Sequence, residues 1–434
     1  MKGINQSDLR MKAHYFKLRD ISTHHDGSSL LLFLIWPAFA LYISLRNYQK
    51  KWSRDIIWLF CIFFGLTFIV ASGEGGADSD RYASLLRFYA NSDLKLSDLW
   101  KSLYSESSGS LDIVSPLITY LVSRVTSSVT FLFTIFGLIF GYFFSRNITY
   151  VLNRNIQGNS GIVIFYILTF VLINPIWNIN GFRFNTAAQI FLYGALPYLL
   201  EGKKKALIWS IASIFVHFSF LSPVMIVGLF MLLRNKLNIY MWFFLLSSVI
   251  KEIDLQAVQS ALLLLPDVFH SKITGYTNSD YAESVNLMNT SLNWYVPFSF
   301  KAISYVNYAL IAYIYFFSVK YLKSRQDLLT LFCFSLLFYG FANLLALVPS
   351  GGRFLDVVYT FLFPFFIFFL SANPGLKGLY YLKVLSIPLL ALFCMVAIRM
   401  GMDYFGFATI IGNPFIAFFS KDNVPLIEAI KGLL

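Results

Sequence analysis

The chain has 434 residues, 57% of them hydrophobic and 19% aromatic, and only 13% are charged. A soluble domain carries about 25% charged residues, so the composition excludes a water-soluble globular protein and points to an all-α, polytopic integral membrane protein. The formal charge of +12 does not imply a nucleic-acid partner, because excess Lys and Arg in such proteins collects in cytoplasmic loops and sets topology.

In chain order, a basic N-terminal tail (1–28) lacks the charged, apolar and cleavage-site regions of a signal peptide, so the first apolar run, SLLLFLIWPAFALYISL, is expected to be a retained helix. Apolar runs then fall at 29–45, 56–72, 128–145, 161–177, 184–200, 205–233, 238–250, 300–319, 327–346, 354–371 and 380–399. The 205–233 run is too long for one span of about 20 residues. His217 and Pro223 interrupt it, and it reads as two short helices meeting near HFSFLSP, giving about twelve transmembrane helices. The segment DIVSPLITYLVSRV (112–125) is short, and is either re-entrant, interfacial or a thirteenth span.

Charge sets the expected orientation. RNYQKKWSR, Arg146 with Arg154, EGKKK, RNK, KYLKSR and Lys377 with Lys383 fall on one side, assigned to the cytoplasm. The other side receives two large outer loops (73–127 and 252–299), HFSF, VPSGGR and a C-terminal tail (401–434), leaving 29–400 as a single transmembrane domain. In KLSDLWKSLY, the residues Leu96, Leu99, Trp100 and Leu103 recur at i, i+3, i+4 and i+7, the spacing of an amphipathic helix. Leu255, Val258 and Leu262 give a weaker version. Each lies on the membrane surface or is ordinary loop packing. Cys61, Cys333 and Cys394 all sit inside apolar runs, so no disulfide framework is implied.

The unusual polar residues crowd the outer side. Arg183, in WNINGFRFNTAAQ, stands where a membrane helix should begin. An arginine in hydrocarbon costs about 2.5–3.5 kcal/mol even on lenient scales, although at a helix end it can snorkel to the headgroups. The functional alternative is an anion site, since a guanidinium grips phosphate oxygens with two prongs and a helix start favours the same charge. Arg353, after Gly351 and Gly352 in VPSGGRFLDVVY, repeats the arrangement. Two such cations on one face suit a pyrophosphate.

His217 is either satisfied by a backbone carbonyl or placed for proton transfer near neutral pH. His24 and His25 lie in the tail and His270 in a loop, so no metal site is expected. The outer loop GEGGADSDRY supplies Glu74, Asp78, Asp80, Arg81 and Tyr82, which serve as a base, bind sugar hydroxyls, coordinate a metal or are merely solvated. Trp177, Trp294, Tyr276 and Tyr295 suit stacking on sugars or an interfacial aromatic belt.

Together, DSDRYASLL, SDLWKSLY, FRFNTAAQIFLYGALPYLLEGKKK, SIFVHFSF, a late GGRF and a closing IIGNPFIAFF resemble the EpsG-like family of Wzy-like bacterial exopolysaccharide and O-antigen polymerases, from about residue 30 to the C-terminus. The chain departs from that pattern in its long tail and in Phe184, where the pattern has a glutamine. The resemblance implies a multi-pass protein of the bacterial cytoplasmic (inner) membrane with its active site on the extracytoplasmic side. There it would pass a growing glycan from undecaprenyl pyrophosphate to a new lipid-linked repeat unit, building O-antigen, capsule or exopolysaccharide. In that chemistry Arg183 and Arg353 bind pyrophosphate, and His217, Asp78 or Asp80 is the catalytic base. Arg81, Tyr82, Asn180, Asn185 and Gln189 contact substrate. No cofactor is expected; the expected partners are the lipid-linked oligosaccharide, membrane lipid and a chain-length regulator protein. The alternatives are a polyprenyl-phosphate-dependent transferase of single sugars and a lipid-linked oligosaccharide flippase.

Overall fold

The computed structural model describes residues 27–70, 78–104, 112–154, 161–264, 270, 274, 292–419 and 424–432. Glu74, Tyr276, His24, His25, nearly all of the tail and the middle of the 252–299 loop lie outside the described residues, as do the side chains of Leu103, Val258 and Leu262. No strand occurs among the described residues.

The first expected span is two helices, α1 (Gly27–Ile35) and α2 (Pro37–Arg46). Pro37 disfavours helical geometry in the residue before it, and Trp36 is accordingly extended, with φ −149° and ψ 87°. There follow α3 (Lys51–Leu66), α4 (Asp78–Ala90), α5 (Leu96–Tyr104), α6 (Val114–Ser123), α7 (Val129–Arg154) and α8 (Gly161–Ile173). A 3₁₀ turn, Ile176–Gly181, then leads into α9 (Phe182–Glu201). Next come α10 (Leu207–Val216), α11 (Leu221–Leu233), α12 (Leu237–Val249), α13 (Leu255–Leu262), α14 (Tyr295–Phe317) and α15 (Val319–Lys323). The chain closes with α16 (Gln326–Leu345), α17 (Arg353–Ala372), α18 (Lys377–Gly401), α19 (Phe407–Ile411), α20 (Pro414–Phe419) and α21 (Leu426–Lys431).

By length and apolarity, six stretches among the described residues can cross a membrane: α7, Gly161–Glu201, α14, α16, α17 and most of α18. The twelve spans expected are not all of this length, because the other apolar helices have fewer than 18 residues. Helices α6 and α12 and the Phe218–Leu233 stretch are apolar but shorter than 18 residues. The 41-residue Gly161–Glu201 stretch is far longer than one span needs, and it doubles back at the 3₁₀ turn. Gln189, inside α9, donates to the carbonyl of Asn174 at the end of α8, 3.3 Å away. The 205–233 run divides as its sequence predicts, with His217 between α10 and α11.

Small residues set a close contact between α3 and α7. Cys61 and Gly65 on α3 face Gly137 and Gly141 on α7, and a Cβ on any of these glycines would collide with the partner helix. Such small-xxx-small faces let backbones approach closely in lipid, where no hydrophobic effect drives helices together. Phenylalanine fills much of the rest, as where Phe191, Phe334, Phe338 and Phe361 join α9, α16 and α17. Outward faces are equally apolar. Ile239, Trp242, Leu246 and Val249 form an exposed stripe along α12, as a lipid solvent permits.

The amphipathic α5 buries Leu99 against Tyr89 and Tyr120 and leaves Leu96 exposed. Arg124, just past α6, donates to the carbonyls of Tyr89 and Ser92 and so ties α6 to the end of α4. The segment expected to be a C-terminal tail packs back on the first helices instead. Ile69 N–H donates to the Tyr404 carbonyl (3.0 Å), Thr409 donates to Thr67 (2.8 Å), and Trp36 donates to the Ile410 carbonyl (2.6 Å).

Candidate active site

Helix ends position the polar residues. Asp78 opens α4, Arg183 is the second residue of α9, Arg353 opens α17, and His217 occupies the break between α10 and α11. These four side chains, with Arg81, Phe184 and Ser350, line one cavity of about 90 Å³. Its exposed surface is almost wholly polar, and three of its seven lining residues are arginines.

The Arg183 guanidinium is held from within the protein. Its Nε donates to the Tyr82 hydroxyl (3.3 Å), and its NH1 forms an ion pair with Asp112 (3.1 Å). The same hydroxyl accepts the Arg183 backbone N–H at 3.4 Å, occupying one of the unpaired donors at a helix start. Tyr82 is buried, and burial raises its pKa against the opposing pull of the Arg183 charge. It is therefore a neutral hydroxyl that props the arginine and does not line the cavity.

Asp112 is the residue that sequence reading missed. It is 5% exposed, and its second oxygen accepts the Phe218 backbone N–H at 2.8 Å. One buried carboxylate thus fixes both Arg183 and the turn that carries His217. The signal was present in DIVSPLITYLVSRV, where a charged residue precedes an otherwise apolar helix, but its partner lies 71 positions away.

The His217 ring is also oriented. Nδ1 accepts the Ser219 backbone N–H (3.3 Å) and pairs with the Ser219 hydroxyl (2.8 Å). A backbone amide only donates, so Nδ1 is the acceptor and the neutral ring carries its proton on Nε2. Phe184 packs edge-on against His217 at 5.5 Å, and the Arg353 guanidinium carbon lies 5.9 Å from the Phe184 ring centroid. The Arg353 guanidinium has neither a hydrogen bond nor an ion pair among the described residues.

Neither glycine of the VPSGGR turn is in the left-handed region. The residue in the left-handed region is Ser350 (φ 64°), a conformation that costs a non-glycine residue about 1–3 kcal/mol and concentrates at functional sites. Gly351 is required for a second reason: a Cβ there would strike the Leu345 carbonyl. Gly352 has open space around it.

A second cavity of about 320 Å³ adjoins the first and shares Asp78, Phe184 and Arg353 with it. Asn178, Asn180 and Asn185 line this chamber, and their amides also knit the turn before α9. Asn180 donates to the Tyr404 hydroxyl (3.1 Å) and accepts the Ser79 N–H (3.3 Å). Asn185 donates to the carbonyls of Asn178 (3.1 Å) and Gly181 (3.0 Å).

Of the remaining nominated residues, Arg81 reaches the first cavity and pairs with Asp78 at 3.5 Å. Asp80 lines neither cavity. Gln189 lines neither, and its amide is engaged with Asn147 (2.8 Å) and the Asn174 carbonyl. Trp177 lines the second chamber, whereas Trp294 and Tyr295 line neither. Among the described residues no group of three or more His, Cys, Asp or Glu is gathered for a metal ion.

No curated protein and no solved structure matches the chain. The model of the EpsG family matches residues 56–409, which takes in every residue of both cavities, and the chain belongs to this family of Wzy-like polysaccharide polymerases.

Proposed function

We propose that the protein joins oligosaccharide repeat units carried on undecaprenyl pyrophosphate, on the extracytoplasmic face of a bacterial cytoplasmic membrane, into a surface polysaccharide. One observation carries this reading: Arg183 and Arg353, from helix starts far apart in sequence, line the same small polar cavity. A diphosphate leaving group carries its charge where these guanidinium groups converge, and its negative charge grows as the glycosidic bond breaks. Donors fixed in advance at that point stabilise the transition state more than the bound substrate. The Asp112 and Tyr82 contacts supply that fixing for Arg183.

In this mechanism His217 presents Nε2–H to a phosphate oxygen and acts as a donor. A partner that regulates chain length belongs to the same proposal. A single-sugar transferase would rest on the Asp78/Asp80 pair, but only Asp78 reaches the cavity.

The test is the pool of lipid-linked intermediates in cells carrying Arg183→Ala or Arg353→Ala. Single repeat units should accumulate and long polymer should vanish. Normal chain lengths in both variants would remove the diphosphate clamp.

A further inference from the structure

The second chamber contains a carboxylate that the clamp does not use. Asp356 lies one turn after Arg353 on α17, and i, i+3 residues share a helix face. Arg353 lines both cavities, whereas Asp356 lines the chamber alone. The Asp356 carboxylate has neither a hydrogen bond nor an ion pair among the described residues, although the Arg353 charge acts on it. Its neighbours on the chamber wall suit a sugar. The rings of Trp177 and Tyr404 line the chamber, the latter already stacked on Phe68, and the Asn178 and Asn180 amides, each giving one N–H to a neighbour, keep a second. The other aspartate at the boundary, Asp78, is already engaged by Arg81 at 3.5 Å.

We infer that this chamber receives the acceptor sugar and that Asp356 is the catalytic base for its hydroxyl, an assignment that rests on the diphosphate clamp proposed above. With the diphosphate on Arg183 and Arg353, the donor's anomeric carbon lies at the wall the two cavities share. The acceptor oxygen attacks that carbon from the chamber side. As the new C–O bond forms, the bond from the anomeric carbon to the phosphate oxygen breaks and its electron pair leaves with the diphosphate. The hydroxyl proton passes to the Asp356 carboxylate. This division of labour leaves His217 as a donor, in keeping with the Ser219 N–H on its Nδ1.

An acidic residue in the first turn of a helix also has an ordinary role, offsetting the positive end of the helix dipole. The experiment must separate the two. Full-length wild-type, Asp356→Asn and Asp356→Glu proteins are compared in nanodiscs, using as probe the lipid-linked repeat unit extracted from cells lacking the protein. Binding, transfer rate against pH, and thermal melting are measured.

Asp356→Asn should bind the probe within about threefold of wild type and melt normally, yet transfer about 10²–10⁴ times more slowly, the usual worth of a positioned base. The fall of wild-type rate toward acid pH should be absent in Asp356→Asn and displaced in Asp356→Glu. The other charged or titratable groups on the chamber wall are Asp78, Arg353 and Tyr404, Tyr359 on α17 lies close enough to feel the Asp356 charge, and all four are unchanged in these variants. A transfer rate within threefold of wild type in Asp356→Asn overturns the assignment while leaving the clamp intact. So does a loss matched by weaker melting with an unaltered pH profile. If Asp356→Asn cannot be recovered, Asp356→Glu decides by its acid limb, and an unmoved limb overturns the assignment. Failure of the wild-type protein to elongate the probe overturns the clamp and, with it, this inference.

Discussion

The two ends of α9 treat cations in opposite ways. At its C-terminal end Arg154 is shared between Glu201 (3.3 Å) and Asp327 (3.0 Å), Lys203 reaches Glu201 at 2.6 Å, and Arg325 reaches Asp327 at 3.0 Å. Tyr150 adds a hydrogen bond to Glu201 at 2.6 Å. Positive and negative groups there satisfy one another and join the ends of α7, α9 and α16. About 30 Å away, the length of a 20-residue helix, Arg183, Arg81 and Arg353 surround a cavity; Asp112 answers Arg183 and Asp78 answers Arg81, but the Arg353 side chain has no ion pair among the described residues. Paired ions hold a scaffold together, whereas a cation at a cavity with no ion pair of its own is available to an anion that comes from outside.

The contrast is sharpest in the arginines themselves. Arg183→Ala and Arg353→Ala should each lower polymer formation at least about 10²-fold, the typical cost of losing a preorganised donor to a developing charge; Arg353→Ala should do so with little change in the amount of protein, whereas Arg183→Ala also leaves the buried Asp112 carboxylate without its cation and should lower the melting temperature. Arg154→Ala should do the reverse. It removes one of the two cations from each of Glu201 and Asp327, whose Lys203 and Arg325 partners remain, a loss of charge-assisted hydrogen bonds that costs about 1.5–3 kcal/mol and will be read as a lower melting temperature in detergent. Transfer per folded molecule should be unchanged. Reduced turnover in Arg154→Ala at constant folded protein would erase the distinction between the two ends.

Smaller effects test how the cavity is supported. Asp112→Asn keeps an acceptor for the Phe218 N–H but removes the charge beside Arg183. A charge-assisted hydrogen bond contributes about 1.5–3 kcal/mol, so transfer should slow about 10- to 100-fold, with both Arg183 and His217 less well held. His217→Gln retains an N–H donor and should stay within about fivefold of wild type, whereas His217→Ala should lose about tenfold. Equal and severe loss in both, together with a flattened pH profile, would return the role of base to the histidine. The smallest functional effect belongs to Gln189→Ala. It should lower stability by about 1–3 kcal/mol, because Asn147 loses a buried partner, and leave both kcat and KM unmoved.

Much of the candidate site was legible because desolvation marks it. Arg183 and Arg353 stand out at the starts of apolar helices, where an unpaired cation needs a reason, and both reach the cavity. His217 was legible as an interruption, since an apolar run of 29 residues exceeds one span. Asp112 was not, because its meaning comes from Arg183 and from the Phe218 N–H, partners that only folding brings within reach. Gln189 reads like a ligand-binding amide in sequence, yet its neighbours on α7 and at the end of α8 occupy it. The first expected span divides for a local reason: hydropathy follows apolar residues through the Trp36–Pro37 break, where the backbone stops being helical.

Solvent preference is a property of each short segment, so the sequence by itself determined that this chain lives in lipid, where its helices lie and which cations are costly. Its motifs also determined the family. Tertiary structure alone decided that two arginines share a cavity and that a third charged group, Asp112, steadies one of them. It also folded the final segment back to bring Tyr404 to the chamber, with Asp356 waiting on the wall. Those outcomes depend on how closely helices pack, which small residues at Cys61, Gly65, Gly137 and Gly141 permit and which no reading of one segment at a time contains.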